Sequence, residues 1–167
     1  MKTVFDVEGC GNGKAPVRLR GHHFLCLLTY KGLGYTPGFV ENMTAIAEAI
    51  NGGTPVVLTH GPDDICNALD AEDRALCGHD CEKASVYWRD EEAVLATRPL
   101  MEASMDEPFV LDVETVKHLR GAFRDGTTRN GCEGCKWKPV CDAIAEEGFA
   151  GAVLFPSNAI WFRRYAT

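Results

Sequence analysis

Three cysteines fall within ten residues of the segment RNGCEGCKWKPVCD (129–142), spaced as Cys132-x2-Cys135-x5-Cys141. A two-residue gap lets two sulfurs converge on one metal, and a third thiol close by sharpens that reading over a turn with free thiols. Gly131 and Gly134 supply the unusual dihedrals and the room for close approach that such a turn needs. Lys136 and Lys138 would offset thiolate charge and Trp137 would shield the site from water, so Lys136 and Trp137 are read as cofactor-contacting residues. A tetrahedral zinc or a cubane cluster wants four protein ligands, so a fourth must come from elsewhere. The dense region DDICNALDAEDRALCGHDC holds Cys66, Cys77 and Cys81. Cys66 follows a strand and a tight GPDD turn, where a side chain can be aimed. Cys81 precedes the first turn of the next helix, where helix-end N–H groups stabilise a thiolate. The expected ligands are therefore Cys66, Cys81, Cys132, Cys135 and Cys141, with Cys77 the least anchored. Zinc held by Cys77, Cys81, Cys132 and Cys135 is the alternative, and spacing alone leaves iron and zinc nearly even.

A second chemical stretch is RLRGHHFLC (18–26). His22 and Cys26 are four apart on an expected helix and share a face, while His23 points elsewhere. Beside Arg18 and Arg20 that face would hold an anion or lower the thiol pKa, which makes His22 and Cys26 the catalytic candidates. The bland reading is a buried cysteine acting as a small hydrophobe next to a backbone-bonded histidine. His60 is a weaker pocket candidate, His79 a substitute ligand and His118 a solvated helix residue. Asp63 and Asp64 suit the capping of a turn better than acid catalysis.

Eight cysteines in 167 residues have a different meaning in each compartment. The opening MKTVFDVEGC has Asp6 and Glu8 where a signal peptide needs an apolar run, so a cytoplasmic setting is expected, with metal or thiol chemistry ahead of disulfides. A net charge of -7 argues against nucleic acid and against an anionic membrane surface. No apolar run approaches the roughly 20 residues that span a bilayer. Oligomeric state is not legible.

The elements that must position these groups follow from periodicity. Residues 1–16 are glycine-rich and read as a flexible arm, and 17–167 as one cysteine-rich domain. VRLR (17–20) alternates as a short strand, and GHHFLCLLTYKG reads as a buried helix from Gly21 to near Gly32. Phe39, Met43, Ile46, Ala47 and Ile50 form the stripe of an amphipathic helix after Pro37. PVVLT (55–59) reads as a buried strand, and EKASVYWRDEEAVLATR as a mostly exposed helix ended by Pro99. Asp112 would cap a helix bearing Val116, Leu119 and Phe123; Pro139 would open a last one, and AVLF (152–155) would be an edge strand. The expected fold is α+β: a mainly helical single domain with a small sheet and a metal or cluster site between two cysteine-bearing loops.

The blocks RLRGHHFLCLLTYKGLGYTPGFVENM, GPDDIC, Trp88-Arg89-Asp90 and GCEGCKWKPVCD together resemble the bacterial and archaeal family called domain of unknown function 1284. The resemblance spans about residues 17–150 and implies iron–sulfur binding through Cys66, a cysteine ahead of the following helix (here Cys81), Cys132, Cys135 and Cys141. Leu69 stands where many relatives carry a second cysteine three residues after the DDIC one, which favours one cluster over two. The expectation is one [4Fe–4S]-type cluster in a redox or electron-transfer module whose acidic surface suits a basic protein partner. One alternative is an enzyme with an open iron that takes a small anionic or thiol substrate near His22 and Cys26. The other is a zinc-stapled structural protein.

Overall fold

The structure, a computed structural model, describes residues 15–72, 74 and 80–156. Cys10, Cys77, His79 and most of the expected arm lie outside the described residues. Strands β1 (Val17–Leu19) and β2 (Val56–Leu58) pair in parallel, with Val17 opposite Val56 and Leu19 opposite Leu58. Val17, Leu19, Val56 and Leu58 are fully buried, as the alternation requires.

Helices α1 (Gly21–Leu27) and α2 (Pro37–Asn51) lie between the strands in sequence. Thr36 Oγ1 accepts from the Phe39 N–H at 3.1 Å and Pro37 opens the first turn, so α2 starts where its cap dictates. Its buried residues are Phe39, Met43, Ile46, Ala47 and Ile50, the stripe seen in the sequence. Helix α1 is shorter than expected. After Leu27 the chain tightens into short-range bonds, with Thr29 N–H donating to the Cys26 carbonyl at 3.2 Å and Tyr30 N–H to that of Leu27 at 3.4 Å.

Helix α3 (Ala84–Met101) continues two residues past Pro99, where an end was expected. The bond that Pro99 removes is the one to the Leu95 carbonyl, and Leu95 is exposed, so water can take its place. Asp90, Ala93 and Thr97 are the buried line of α3. The helix passes so close to the start of α1 that a Cβ on Gly21 would lie 2.3 Å from the Asp90 carbonyl oxygen. One on Gly131 would lie 2.9 Å from the Arg89 carbonyl oxygen. Helix α3 therefore grips both α1 and the cysteine loop through glycines.

Helix α4 (Val113–Arg124) is capped by Asp112, whose carboxylate accepts from Thr115 N–H at 2.7 Å. Helix α5 (Lys138–Glu146) has Pro139 in its first turn, and short 3-10 turns cover Cys66–Ala68 and Asn130–Cys132. The edge strand expected over 152–155 is absent; that segment is an irregular strap. The buried Arg120 guanidinium takes the place of a ladder, donating to the carbonyls of Leu28 at 3.1 Å, Leu154 at 2.6 Å and Phe155 at 3.0 Å. Asn51 clasps the same strap through the Val153 carbonyl and the Phe155 N–H. The result is a mainly helical α+β domain with a two-stranded sheet. Among the described residues no helix is long and apolar enough to cross a membrane.

Candidate metal centre and its flanking pocket

Two distant carboxylates hold the start of α1. Asp63 accepts from Arg20 N–H at 2.8 Å and Asp90 from His22 N–H at 3.2 Å, satisfying donors that a helix N-terminus leaves open. Each carboxylate also binds an imidazole. His22 Nδ1 lies 2.6 Å from Asp90 Oδ1, and His23 Nδ1 lies 2.9 Å from Asp63 Oδ2. Asp63 also accepts from the N–H groups of Ile65 and Cys66, so the capping role expected for it is its observed one. Asp64 accepts from the Arg18 N–H.

Arg20 is completely buried and completes this network. Its Nε donates to Asp90 Oδ2 at 2.8 Å and its Nη1 to the Cys81 carbonyl at 2.8 Å, with Cys66 Sγ 3.6 Å away. Nη2 also lies 2.8 Å from Asp90 Oδ2 but off the hydrogen-bond direction, so it is an ion-pair contact only. Burial alone would push the Asp63 and Asp90 carboxyls up; the neighbouring imidazoles and N–H donors, with Arg20 beside Asp90, hold both below the usual carboxylate range. Burial drives His22 the other way, down to about 4, so its ring is neutral at pH 7. With Asp90 ionised, Nδ1 of that ring is the donor and Nε2 the acceptor.

The loop thiols meet a different cysteine from the one expected. Burial, then the charges of Cys141, Cys135 and Cys132, push the Cys26 thiol well above its ordinary range. Burial also raises Cys141, which feels Cys135 and Cys132, and its sulfur accepts from the Thr29 hydroxyl at 3.3 Å. All four thiols line one small cavity of about 40 Å³, closed by Leu25 and Phe123 among others. The loop is shaped by Gly134, whose φ of +70° lies in the left-handed region, and by the Cys135 N–H bond to the Cys132 carbonyl at 3.0 Å. Gly131 has no such φ; it serves the close approach to α3.

Cys66 and Cys81 are both buried, but neither lines that cavity. They lie on the Arg20 side of α1, where burial, then the charges of Asp63 and Cys81, push the Cys66 thiol well above its ordinary range. The charge-offsetting role expected of Lys136 and Lys138 falls to arginines. Lys136 Nζ sits 4.3 Å from the centre of the Tyr35 ring and Lys138 pairs with Asp142 at 3.0 Å. Arg89 lowers the Cys26 thiol and Arg129 that of Cys141, against the larger effect of burial. Trp137 lines the thiol cavity and stacks edge-on to Tyr35 with ring centres 5.6 Å apart.

A larger cavity of about 460 Å³ adjoins the thiols and is lined by His22, His23, Cys26, Cys135, Cys141 and neighbours. His23 therefore does not point away from His22. At the first turn of α1 both rings reach carboxylates, and their centres lie 4.2 Å apart. Arg18 and Arg20 face Thr59 and the Asp90 network instead of this cavity. His60 and His118 are exposed and line neither cavity.

Among the described residues one triple of metal-binding side chains, His23, Asp63 and Cys66, has all its ligand atoms within 4.8 Å of one another. That triple is a poor ion site. The Asp63 oxygens already accept from three N–H groups and an imidazole, and the Arg20 cation lies against the Cys66 sulfur. The four-thiol group suits a soft metal far better by donor type. A cavity of about 40 Å³ exceeds the roughly 10–15 Å³ that one water-sized sphere needs. Four thiols around such a space fit a soft metal or a thiolate-held cluster.

No curated protein and no solved structure matches the chain. A family model does, over residues 34–141, a stretch that includes Asp63, Cys66, Asp90 and the three loop thiols but begins after Cys26. Covering more than half of the sequence, that match places the chain in the family described as Protein of unknown function (DUF1284).

Proposed function

We propose that the protein carries one [4Fe–4S]-type cluster on Cys26, Cys132, Cys135 and Cys141 and serves as a redox or electron-transfer module. The observation that carries this reading is the fourth thiol. Cys26, on a helix fixed at its start by Asp63 and Asp90, lines the same small cavity as the three loop cysteines. Such a cluster, when bound, supplies one-electron exchange.

The chain's own residues do the rest. Thr29 donates to the Cys141 sulfur, and hydrogen bonds of this kind tune a cluster's potential. Arg89 and Arg129 offset thiolate charge, and Trp137, Leu25 and Phe123 exclude water. Four thiolates on one core leave no ligand position open, which favours electron transfer over the open-iron enzyme. The six described cysteines are all unpaired, which suits a reducing interior such as the cytoplasm. The net charge of -7 suits a basic redox partner.

Anaerobic purification with an iron, sulfide and zinc count tests this. Cys26→Ser is expected to lose most of the iron, and Cys66→Ser to keep it. One zinc per chain without iron ends the cluster reading; iron kept in Cys26→Ser and lost in Cys66→Ser restores the ligand set expected from sequence.

A further inference from the structure

The 460 Å³ cavity is larger than a thiol cage requires and falls in the range of small-molecule sites. Its charge is distinctive. On a chain of net charge -7, the described residues lining it include Lys31, Lys83, Arg89 and Lys136 and no Asp or Glu. The three lysines are exposed and stand at the mouth, while His23 is buried and His22 half-buried at the inner end. A thiolate-held cluster would add negative charge behind Cys135 and Cys141, but Arg89 and Arg129 face that charge, so the lysines keep the mouth cationic.

The walls between are aromatic and aliphatic. Tyr35 meets Phe39 and Trp137 edge-on, with ring centres 5.3 and 5.6 Å away, and Val140 and Ile144 complete the surface. At the inner end the His22 Nδ1 is committed to Asp90, and its Nε2 has no partner among the described residues. A pinned imidazole with a free acceptor calls for a hydrogen-bond donor from the ligand.

We propose that this cavity binds a small aromatic anion bearing a hydroxyl group. Its ring lies against Tyr35 and Trp137, its acid group meets Lys31, Lys83 and Lys136, and its hydroxyl donates to His22 Nε2. The inference rests on the cavity and does not require the cluster.

The test is a calorimetric titration of the anaerobically purified protein, metal counted in the same sample, with four para-substituted probes. These are 4-hydroxyphenylacetate, phenylacetate, 4-methylphenol and tyramine. The hydroxy acid is expected to bind tightest, with phenylacetate and 4-methylphenol each weaker by roughly tenfold and tyramine weakest. In the Lys31→Gln/Lys83→Gln double variant, both changes being at exposed positions, the acid should lose most of its advantage over 4-methylphenol while 4-methylphenol binds as before. Binding of tyramine as tight as that of the acid, no binding of any probe at millimolar concentration, or an acid advantage that survives the lysine changes would each overturn the proposal. A sample that binds the acid but holds no iron refutes the cluster and leaves the pocket standing.

Discussion

Gly21 is where α1 and α3 touch, and the substitution Gly21→Ala measures how much that contact matters. A methyl there would sit 2.3 Å from the Asp90 carbonyl oxygen and 2.9 Å from Val94 Cγ2, against an ordinary contact of 3.4–4 Å. The nearest obstacle is backbone, which cannot rotate away. Relief requires the two helices to part by about 1 Å, and that pulls Asp90 from both Arg20 and His22. Overpacking alone costs about 1–3 kcal/mol. Breaking a buried ion pair costs about 3–5 kcal/mol. An expected loss of about 3–5 kcal/mol is thus a large part of the roughly 5–15 kcal/mol that holds a domain together. Urea unfolding followed by far-ultraviolet circular dichroism reads it directly. Two companion variants calibrate the result. Gly131→Ala, with a contact of 2.9 Å to the Arg89 carbonyl oxygen, should lose less. Gly121→Ala, on α4 with nothing within 4 Å, should gain about 0.5–1 kcal/mol from helix propensity. A Gly21→Ala protein within about 0.5 kcal/mol of the parent, typical of a harmless surface change, would refute the close-contact account.

Acid should weaken the same junction. Because the His22 pKa falls from its ordinary 6.5 to about 4 on folding, its contribution is whole above pH 6.5 and is lost as the pH drops toward 4. The loss is at most about 3 kcal/mol, less for a side chain that keeps 17% exposure. Asp63 and Asp90, both held below the ordinary carboxylate range, add their own loss at still lower pH. A ring-proton titration of His22 with its midpoint near 6.5 would contradict this. Arg120→Met should strip three buried carbonyls of their donor and cost about 2–4 kcal/mol, with earlier proteolysis of the 152–156 strap; an unchanged thermal midpoint would speak against it.

Periodicity and caps made much of this architecture readable in advance. The α2 stripe from Phe39 to Ile50 and the Asp112 cap needed only local information, since each depends on residues a few positions apart. The α1 junction was different. Asp63 and Asp90 act on Arg20 and His22 across 43 and 68 residues of sequence, and nothing local marks them as caps for a helix they do not precede. For the same reason a helical wheel turns His23 away from His22: it holds no trace of the carboxylates that draw both rings together. The AVLF segment had the composition of a strand, and the Arg120 fork that replaces its ladder lies more than thirty residues away. Cys26 was noticed for its face shared with His22 but not joined to the loop thiols. A cysteine in an otherwise apolar helix reads as a small hydrophobe, and the one signal available was the demand of three thiols for a fourth on a rigid element.

The two chemistries of the GHHFLC segment then have one cause. Helix α1 has only seven residues, too short to be stable by itself, so its direction must be imposed from outside. The Asp63 and Asp90 carboxylates, locked by the buried Arg20, impose it at the first turn. One turn later that direction aims Cys26 into the loop cavity. A buried charge network is a poor source of net stability, but removing any member leaves an uncompensated charge, which makes the arrangement nearly all-or-none. Asp90→Asn should therefore disturb the thiol cage, with which Asp90 itself has no hydrogen bond, whereas a substitution at exposed Asp80 should not. On this view Cys66 and Cys81 pack around the guanidinium that keeps the helix pointed: the Cys66 sulfur lies 3.6 Å from Arg20 Nη1, and the Cys81 carbonyl accepts from the same nitrogen.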